Sequence, residues 1–172
     1  MESKILITGA AGGVGSTAHT AIAILLEQGH RVRAMVHKLD ARAETLRDMG
    51  AEIVVADMLD IITVRAAMQG CSVVYFTMSI SPNYLEVATN VAVAAKSLGV
   101  EAFVNLSQMT VSQMSETETT SSPQQKQEWL AEQTGASPGA QGSHDRTIRS
   151  VRIAVVGEIE RVIPITANDG DG

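Results

Sequence analysis

The chain has 172 residues, of which 45% are hydrophobic and 3% aromatic, and its formal net charge is −6 at pH 7. A chain of this length usually forms one domain, and the acidic balance argues against direct binding of nucleic acid, whose partners normally present a basic surface. The single cysteine, Cys71, excludes an internal disulfide, and no apolar run approaches the ~18 residues of a membrane span, so we expect a cytoplasmic protein without a membrane partner.

Strand-like and helix-like segments alternate through the first 107 residues. Short apolar runs predict strands, and segments with apolar residues three or four apart, many of them ending at glycine, predict helices. Asp60 and Ser81 are the expected caps of the third and fourth helices, and Pro82 fits a first helical turn. We predict strands at 4–8, 30–37, 51–57, 71–79 and 100–107, and helices at 15–29, 40–50, 60–70 and 81–99.

The predicted strands lack the polar alternation of a half-exposed sheet. Such strands, separated by helices of about three turns, indicate a parallel sheet covered on both faces. Crossover connections between parallel strands are almost always right-handed. The fold class is therefore α/β: a doubly wound parallel sheet, Rossmann-like, in three α/β/α layers.

The regular alternation stops after residue 107. Residues 107–125 are rich in Ser, Thr and Gln and predict a mobile loop, whereas residues 125–135 predict a short helix. Residues 136–150 are small, polar and irregular, residues 151–165 have the apolar content of one or two strands, and residues 166–172 predict a frayed tail. We divide the chain into a domain at 1–133 and an irregular, shortened segment at 134–172.

The loop after the first strand, "ITGAAGGVG", places Gly9, Gly12 and Gly15 three residues apart. Between a strand and a helix, such glycines allow a tight turn, let backbone approach a pyrophosphate, and let the helix pack on the strand. The helix N-terminus supplies free N–H groups. The alternative is a glycine-rich turn that binds nothing. The candidate cofactor-binding residues of this loop are Thr8, Gly9, Ala10, Gly12, Gly13, Val14 and Gly15.

The end of the second strand indicates which dinucleotide is bound. Sites that prefer NAD usually carry a carboxylate there, on the ribose 2′-hydroxyl, but this strand is followed by His37 and Lys38, with Arg42 one turn later. Cations suit the 2′-phosphate of NADP. We therefore predict that NADP(H) is preferred and that NAD(H) is also accepted. The alternative is a solvated loop in which Asp40 holds Lys38 or Arg42.

Five segments carry a resemblance to a known family: "KILITGAAGGVGS", "VRAMVHK", "GAEIVVADMLD", "VEAFVNLSQ" and "QEWLAEQ". Together they resemble the NmrA-like branch of the atypical short-chain dehydrogenases/reductases, over residues 3–133. The resemblance implies an NAD(P)-binding Rossmann domain at 1–133. Some members are quinone, azo or flavin-type reductases, and others are redox-sensing regulators without turnover. The family usually has Arg where this chain has His37, which weakens the NADP preference without reversing it, because histidine is mostly neutral at pH 7.

The resemblance also implies contacts for the rest of the cofactor. In related families the residue matching Asp57 accepts a hydrogen bond from the adenine amino group, and the residue matching Met58 borders the ring. The alternative for Asp57 is a turn or helix cap. At the end of the fourth strand, Thr77, Met78 and Ser79 are expected on the nicotinamide-ribose side. Ser107, which matches the superfamily serine, is expected to contact the cofactor or another ligand.

The catalytic pair of typical short-chain dehydrogenases is absent. That pair is a Tyr and a Lys four residues apart on one helix, and the matching positions here are Glu128 and Glu132. We interpret these two carboxylates as a solvated helix face, and we predict no catalytic residue and no metal ligand. The absence of this pair disfavours the ordinary interconversion of ketones and alcohols more than it disfavours quinone reduction, because hydride transfer to a quinone does not strictly need an acid from the protein.

The resemblance ends near residue 133, whereas family members usually run well past 250 residues and carry a substrate domain. A reduced substrate region would leave the nicotinamide end open to water, and an exposed apolar sheet edge favours a homodimer. The leading hypothesis is an NADP(H)-dependent oxidoreductase acting on a quinone-like or similar small acceptor. The alternatives are a cofactor-sensing regulatory or binding protein without catalysis, and a shortened, inactive remnant that still folds.

Overall fold

The computed structural model describes residues 4–12, 17–79, 81–106, 109–133 and 149–153. The chain alternates strands and helices up to residue 106, as the sequence predicts. The elements are β1 (Lys4–Ile7), α1 (Thr17–Glu27), β2 (Arg31–Val36), α2 (Ala41–Asp48), β3 (Glu52–Val55), α3 (Ile61–Met68), β4 (Val73–Phe76), α4 (Tyr84–Leu98), β5 (Ala102–Leu106), α5 (Met109–Ser112), α6 (Pro123–Gln133) and β6 (Arg149–Ile153).

The six strands found among the described residues form one parallel sheet in the order β3-β2-β1-β4-β5-β6. The chain moves outward from β1 to β3 and then returns to place β4 on the other side of β1. The predicted doubly wound, Rossmann-like fold is confirmed. The strand order reverses between β1 and β4, and in sheets of this kind ligands bind beyond the carboxyl ends of the strands at that point.

Helices cover both faces of the sheet because successive strand residues point to opposite sides. In β1, Leu6 packs into one apolar cluster with residues of α3, α4 and α6, whereas Ile5 and Ile7 pack into a second cluster with residues of α1 and α2. Alanines of α4 such as Ala88 and Ala95 are buried against the sheet. These two clusters confirm the three-layer arrangement. None of the described helices is both long and apolar enough to cross a membrane.

Two local predictions were wrong. Helix α4 begins at Tyr84, so Ser81 and Pro82 both precede it, and Asn83 occupies the N-cap position without a side-chain capping bond. The carbonyl of Ser81 accepts a hydrogen bond from the Tyr84 N–H at 3.2 Å. The predicted loop at 107–125 contains the short helix α5, and its Val111 is fully buried. Polar composition dominated this segment, so one apolar anchor in it went unnoticed.

Strand β6 lies within the segment at 134–172 that the sequence assigns as irregular. Five residues of β6 pair in parallel with five of β5, from Ala102 opposite Arg149 to Leu106 opposite Ile153. The strand extends the same sheet by one position. The other residues of 134–172 lie outside the described part of the chain, as do Gly13, Val14, Gly15 and Ser107.

The amino edge of the sheet is held by a charged network that the sequence analysis did not predict. Glu52 of β3 accepts from Lys4 of β1 at 2.8 Å and from Arg33 of β2 at 2.8 Å. Arg33 also donates to the carbonyl oxygens of Ala67 and Gln69, at 2.8 and 2.7 Å. Carbonyls at a helix C-terminus lack partners within the helix, so Arg33 ties the end of α3 to three strands.

We predict that Glu52→Gln destabilises the protein at neutral pH by no more than about 1 kcal/mol, because the Glu52 side chain is half exposed and solvent screens the pairs. Hydrogen bonds from Lys4 and Arg33 hold the pKa of Glu52 below its ordinary value. The contribution of Glu52 is therefore present above the pKa of an unfolded glutamate and is lost as pH falls through the lower folded value. The free energy of unfolding of the variant and of the wild type, measured in urea from neutral pH down to acid, gives this contribution.

The matched control is Glu27→Gln, which removes an exposed carboxylate with no ion pair among the residues described. We expect this variant to match wild type at every pH. A Glu52→Gln variant whose difference from wild type persists unchanged in acid would contradict the charge-network explanation.

Candidate functional site

The end of β1 approaches the end of β4 so closely that only glycine fits at position 9. Gly9 has a φ of +67°, and a Cβ atom built there would lie 2.5 Å from the carbonyl oxygen of Thr77. Real Cβ atoms do not come so near to backbone, and positive φ is itself costly for residues with a side chain. The first glycine of the loop is therefore explained by backbone approach at the point where the strand order reverses.

Thr8 bonds the same two strand ends together. Its side chain is fully buried, and its hydroxyl donates to the carbonyl of Thr77 at 2.7 Å and accepts from the Thr77 N–H at 2.9 Å. Its own N–H donates to the carbonyl of Tyr75 at 3.1 Å. The Thr8 hydroxyl therefore positions the loop, and direct contact between Thr8 and a cofactor stays a prediction.

The described part of the loop after Gly9 forms a tight turn. The Gly12 N–H donates to the carbonyl of Gly9 at 3.0 Å, and a Cβ atom at Gly12 would lie 3.0 Å from that same oxygen. Ala10 is buried, whereas Gly12 is exposed. The strand, the turn and the following helix α1 supply the context that a phosphate-binding loop requires.

A cavity of about 220 Å³ opens at the carboxyl ends of β2, β3 and β4. Whole-ligand pockets in proteins usually measure about 300–1,000 Å³, so this cavity suits one end of a dinucleotide. It contains four residues that the sequence assigns to cofactor binding, namely His37, Asp57, Met58 and Met78. The complete lining is Met35, Val36, His37, Ala56, Asp57, Met58, Leu59, Met78, Ser81, Asn83 and Val87.

Asp57 forms the turn that the sequence analysis left as an alternative role. Its Oδ1 accepts from the Leu59 N–H at 2.9 Å, and its carbonyl accepts from the Thr63 hydroxyl at 3.0 Å. Asn90 of α4 donates to the carbonyls of Met58 and Leu59, both at 3.1 Å. The wall of the cavity is thus fastened to α4. The turn uses one carboxylate oxygen of Asp57, and the side chain is exposed.

The three predicted cations differ in what surrounds them. Arg42 donates to Asp40 through Nη2 at 2.7 Å and through Nε at 3.2 Å, and Asp40 also caps α2 by accepting from the Arg42 and Ala43 N–H groups. The hydrogen bond from Arg42 lowers the pKa of Asp40. Arg42 therefore forms the ion pair with Asp40 that the sequence left open as an alternative, and contact between Arg42 and the cofactor stays a prediction. His37 lines the cavity, and Lys38 beside it is exposed.

The predicted residues after β4 are Thr77, Met78 and Ser79. The backbone N–H and carbonyl of Thr77 are both bonded to Thr8, Met78 lines the cavity, and Ser79 is exposed. These residues lie at the carboxyl edge next to the glycine loop.

A buried polar cluster lies beyond β5, where the sequence analysis expected a solvated helix face. That expectation was wrong: Glu128 of α6 is 2% exposed, whereas Leu130 of the same helix is 42% exposed. Tyr84 of α4 is also buried and donates to Asn105 of β5 at 3.3 Å. Burial raises the pKa of Tyr84 well above its ordinary range, and the charges of Glu128 and Glu132 raise it further.

The signal that could have identified the buried face of α6 is the spacing of Glu128 and Ala131. Residues three apart share a helix face, and Ala131 is buried beside Glu128. The hydrophobicity of the helix residues is not such a signal, because the apolar Leu130 is 42% exposed.

Comparison with known proteins identifies the family. The family model described as NAD(P)H-binding matches residues 9–154 of this chain. No curated protein matches this chain significantly. The fold is similar to that of an NADPH-dependent quinone oxidoreductase from Escherichia coli solved with NADPH, with a TM-score of 0.63 and 24% identity over 77% of this chain and 44% of that one.

Two further solved structures share the fold. A triphenylmethane reductase from Citrobacter sp. with NADP(H) has a TM-score of 0.59 and 23% identity, over 77% of this chain and 45% of that one. A UDP-glucose-4-epimerase from Stenotrophomonas maltophila with NAD has a TM-score of 0.68 and 22% identity, over 88% of this chain and 52% of that one. This chain spans about half the length of these neighbours.

We predict that Gly9→Ala destabilises the protein by about 2–5 kcal/mol, because it adds steric overlap with the Thr77 carbonyl to the cost of a positive φ. Gly29→Ala is the matched control, since Gly29 also has a positive φ of +82° but open space around its Cβ position. It should lose only about 1–2 kcal/mol. Urea unfolding compares the two, and equal losses would show that backbone approach at Gly9 is not decisive.

Proposed function

Because the chain belongs to the NAD(P)H-binding family, we propose that it binds NADP(H) in preference to NAD(H) and uses it to reduce a quinone-like or similar small acceptor. The observation that carries this proposal is the cavity at the carboxyl edge, beside the loop of Gly9 and Gly12 at the reversal of strand order. The NADPH-bound oxidoreductase with the same fold supports the choice of cofactor and acceptor.

The cofactor would lie across the carboxyl edge. Its adenine end would lie in the cavity that Asp57 and Met58 line, where Asp57 would accept a hydrogen bond and Met58 would border the ring. His37 and Lys38 follow β2, where the ribose 2′ substituent is bound in Rossmann-type sites. The pyrophosphate would lie on the glycine loop and the start of α1, where backbone N–H groups and the helix dipole favour an anion. The nicotinamide end would reach the residues after β4, which are Thr77, Met78 and Ser79.

When bound, the cofactor would supply the hydride-transfer chemistry. The chain's own part is to hold and orient the dinucleotide. Thr8 and Thr77 fix the two strand ends across whose carboxyl side the dinucleotide would lie. A quinone suits such a site, because it accepts hydride without a Tyr–Lys pair in the protein.

A second function is a cofactor-sensing regulatory or binding role without turnover. Helix α6 favours it, because this helix carries no tyrosine and has Glu128 and Glu132 where typical relatives place their catalytic pair. Glu128 is buried, which suits a structural role better than contact with an acceptor.

The proposal also includes the finer assignments. The quoted motifs support the NmrA-like branch, and the single cysteine supports a cytoplasmic location. Val55, half exposed on the edge strand β3, supports a homodimer.

We predict that NADPH binds with a dissociation constant in the micromolar range and that NADH binds more weakly. Gly12→Asp should weaken NADPH binding by about a hundredfold or more, because it places a carboxylate where the pyrophosphate is expected and crowds the Gly9 carbonyl. Titration calorimetry measures both ligands.

The control for size is Gly12→Asn, which has the shape of aspartate without its charge and should lose less affinity than Gly12→Asp. Unchanged NADPH affinity in Gly12→Asp would remove the loop from the site. No binding of either dinucleotide to the wild type would leave the inactive-remnant hypothesis.

We predict that the wild type oxidises NADPH when a benzoquinone is supplied. The loss of NADPH absorbance measures this reaction. Gly12→Asp should lose this activity together with binding. A triphenylmethane dye tests a second class of acceptor. NADPH binding without oxidation by either acceptor would favour the regulatory role.

A further inference from the structure

We propose that Met58 and Met78 form an oxidation-sensitive modification site: hydrogen peroxide converts their thioethers to sulfoxides, which weakens dinucleotide binding, and methionine sulfoxide reductases restore it. This inference rests on the proposed function and extends it, because it assigns a reversible regulation to the same site. Sulfoxide formation turns a flexible apolar side chain into a polar one, and it is among the few oxidations of side chains that cells reverse.

Methionine is concentrated around the cavity. The chain has eight methionines, and three of the eleven residues that line the cavity are Met35, Met58 and Met78. Met58 and Met78 are partly exposed, whereas Met35 is only 3% exposed. The lining also includes the exposed residues His37 and Asp57, so the cavity is open to solvent. A small dissolved oxidant can therefore reach Met58 and Met78 from the mouth of the cavity.

The reaction needs no group from the protein other than the thioether. The sulfur lone pair attacks one oxygen atom of hydrogen peroxide, the O–O bond breaks, and hydroxide leaves. The hydroxide takes the proton of the transferred hydroxyl and becomes water, and the sulfoxide remains. The sulfur is thereby oxidised by two electrons and the peroxide is reduced. Exposure decides which methionines react first.

The backbone beside both methionines is held in place, so the site cannot easily move to accept an added oxygen atom. The carbonyl of Met58 accepts from Asn90 of α4 at 3.1 Å. Met78 follows Thr77, whose N–H and carbonyl are both bonded to the hydroxyl of Thr8, at 2.9 and 2.7 Å. Both methionine side chains pack against the apolar cluster between the sheet, α3 and α4. An oxygen atom on either sulfur would therefore meet apolar neighbours or the ligand.

The proposed arrangement of the cofactor puts these two side chains against its two halves. Met58 is expected beside the adenine ring and Met78 on the nicotinamide-ribose side. A polar oxygen that loses water on ligand binding and gains no hydrogen bond is unfavourable. We therefore expect the affinity for the dinucleotide to fall by about tenfold or more after oxidation.

The single cysteine does not compete for the oxidant. Cys71 is 8% exposed, and burial raises the pKa of its thiol. Peroxide attacks the thiolate and not the thiol. Oxidation at neutral pH should therefore modify the methionines of the cavity before it modifies Cys71.

The first test maps oxidation by peptide mass spectrometry after the full chain is treated with hydrogen peroxide, with and without saturating NADP⁺. Met58 and Met78 should react about tenfold faster than the buried Met35 and Met68. Bound NADP⁺ should slow oxidation of Met58 and Met78 several-fold. Oxidation of Met49 should not respond to NADP⁺, because Met49 is partly exposed at the end of α2 and is not part of the cavity lining.

The second test measures NADP⁺ affinity by titration calorimetry before and after peroxide. The oxidised wild type should bind about tenfold or more weakly, and methionine sulfoxide reductases of both epimer specificities, supplied with dithiothreitol, should restore its affinity. The double variant Met58→Leu, Met78→Leu keeps apolar side chains without sulfur. Its affinity before peroxide is its own reference, and peroxide should not change it. The matched control Met49→Leu should lose affinity on oxidation as the wild type does.

The outcomes are distinct from those of the proposed function. Unchanged affinity in the oxidised wild type, or an equal loss in the double leucine variant, overturns this inference alone. Loss of affinity through unfolding, followed by circular dichroism on the same samples, also overturns it. Failure of the untreated wild type to bind NADP⁺ or NADPH overturns the proposed function and this inference together.

Discussion

The hydroxyl of Thr8, bonded to both backbone groups of Thr77, is the contact on which the candidate site depends. It joins the ends of β1 and β4, two neighbouring strands that the chain reaches 69 residues apart. With those ends fixed, the absence of a side chain at Gly9 lets the loop pass directly over the Thr77 carbonyl. A buried, fully satisfied hydroxyl of this kind stabilises one backbone arrangement over its alternatives.

The fold was predictable from the sequence because its signals are local and repeated. Each strand is a short apolar run, most are followed by an amphipathic helix, and the physics of parallel crossovers leaves few topologies. The failures were at places where tertiary contacts override composition. Val111 anchors a segment that is otherwise polar, and α4 begins at Tyr84 because its first turn packs into the core.

The candidate site was only partly predictable. Strand ends could be identified from the sequence, so His37, Asp57 and Met78 were expected at one edge, and the structure places all three around one cavity. The ion-pair partner of Arg42 could not be predicted in the same way, because the sequence offers Arg42 two anions, a ligand phosphate and the carboxylate of Asp40. Burial of Glu128 also escaped prediction, since the orientation of α6 is set by what it packs against and not by its own most apolar residue.

The charged network of Lys4, Arg33 and Glu52 occupies the amino edge of the sheet, opposite the cavity. The pairing of β1, β2 and β3 is therefore stabilised at the amino edge of the sheet, whereas the groups that would recognise a ligand lie at the carboxyl edge. Substitutions at distant, independent positions usually have additive effects. Substitutions among the residues that line the cavity, such as His37 and Met58, should therefore leave the stabilising contribution of the amino edge unchanged, so the cavity wall can vary in sequence while the scaffold is retained.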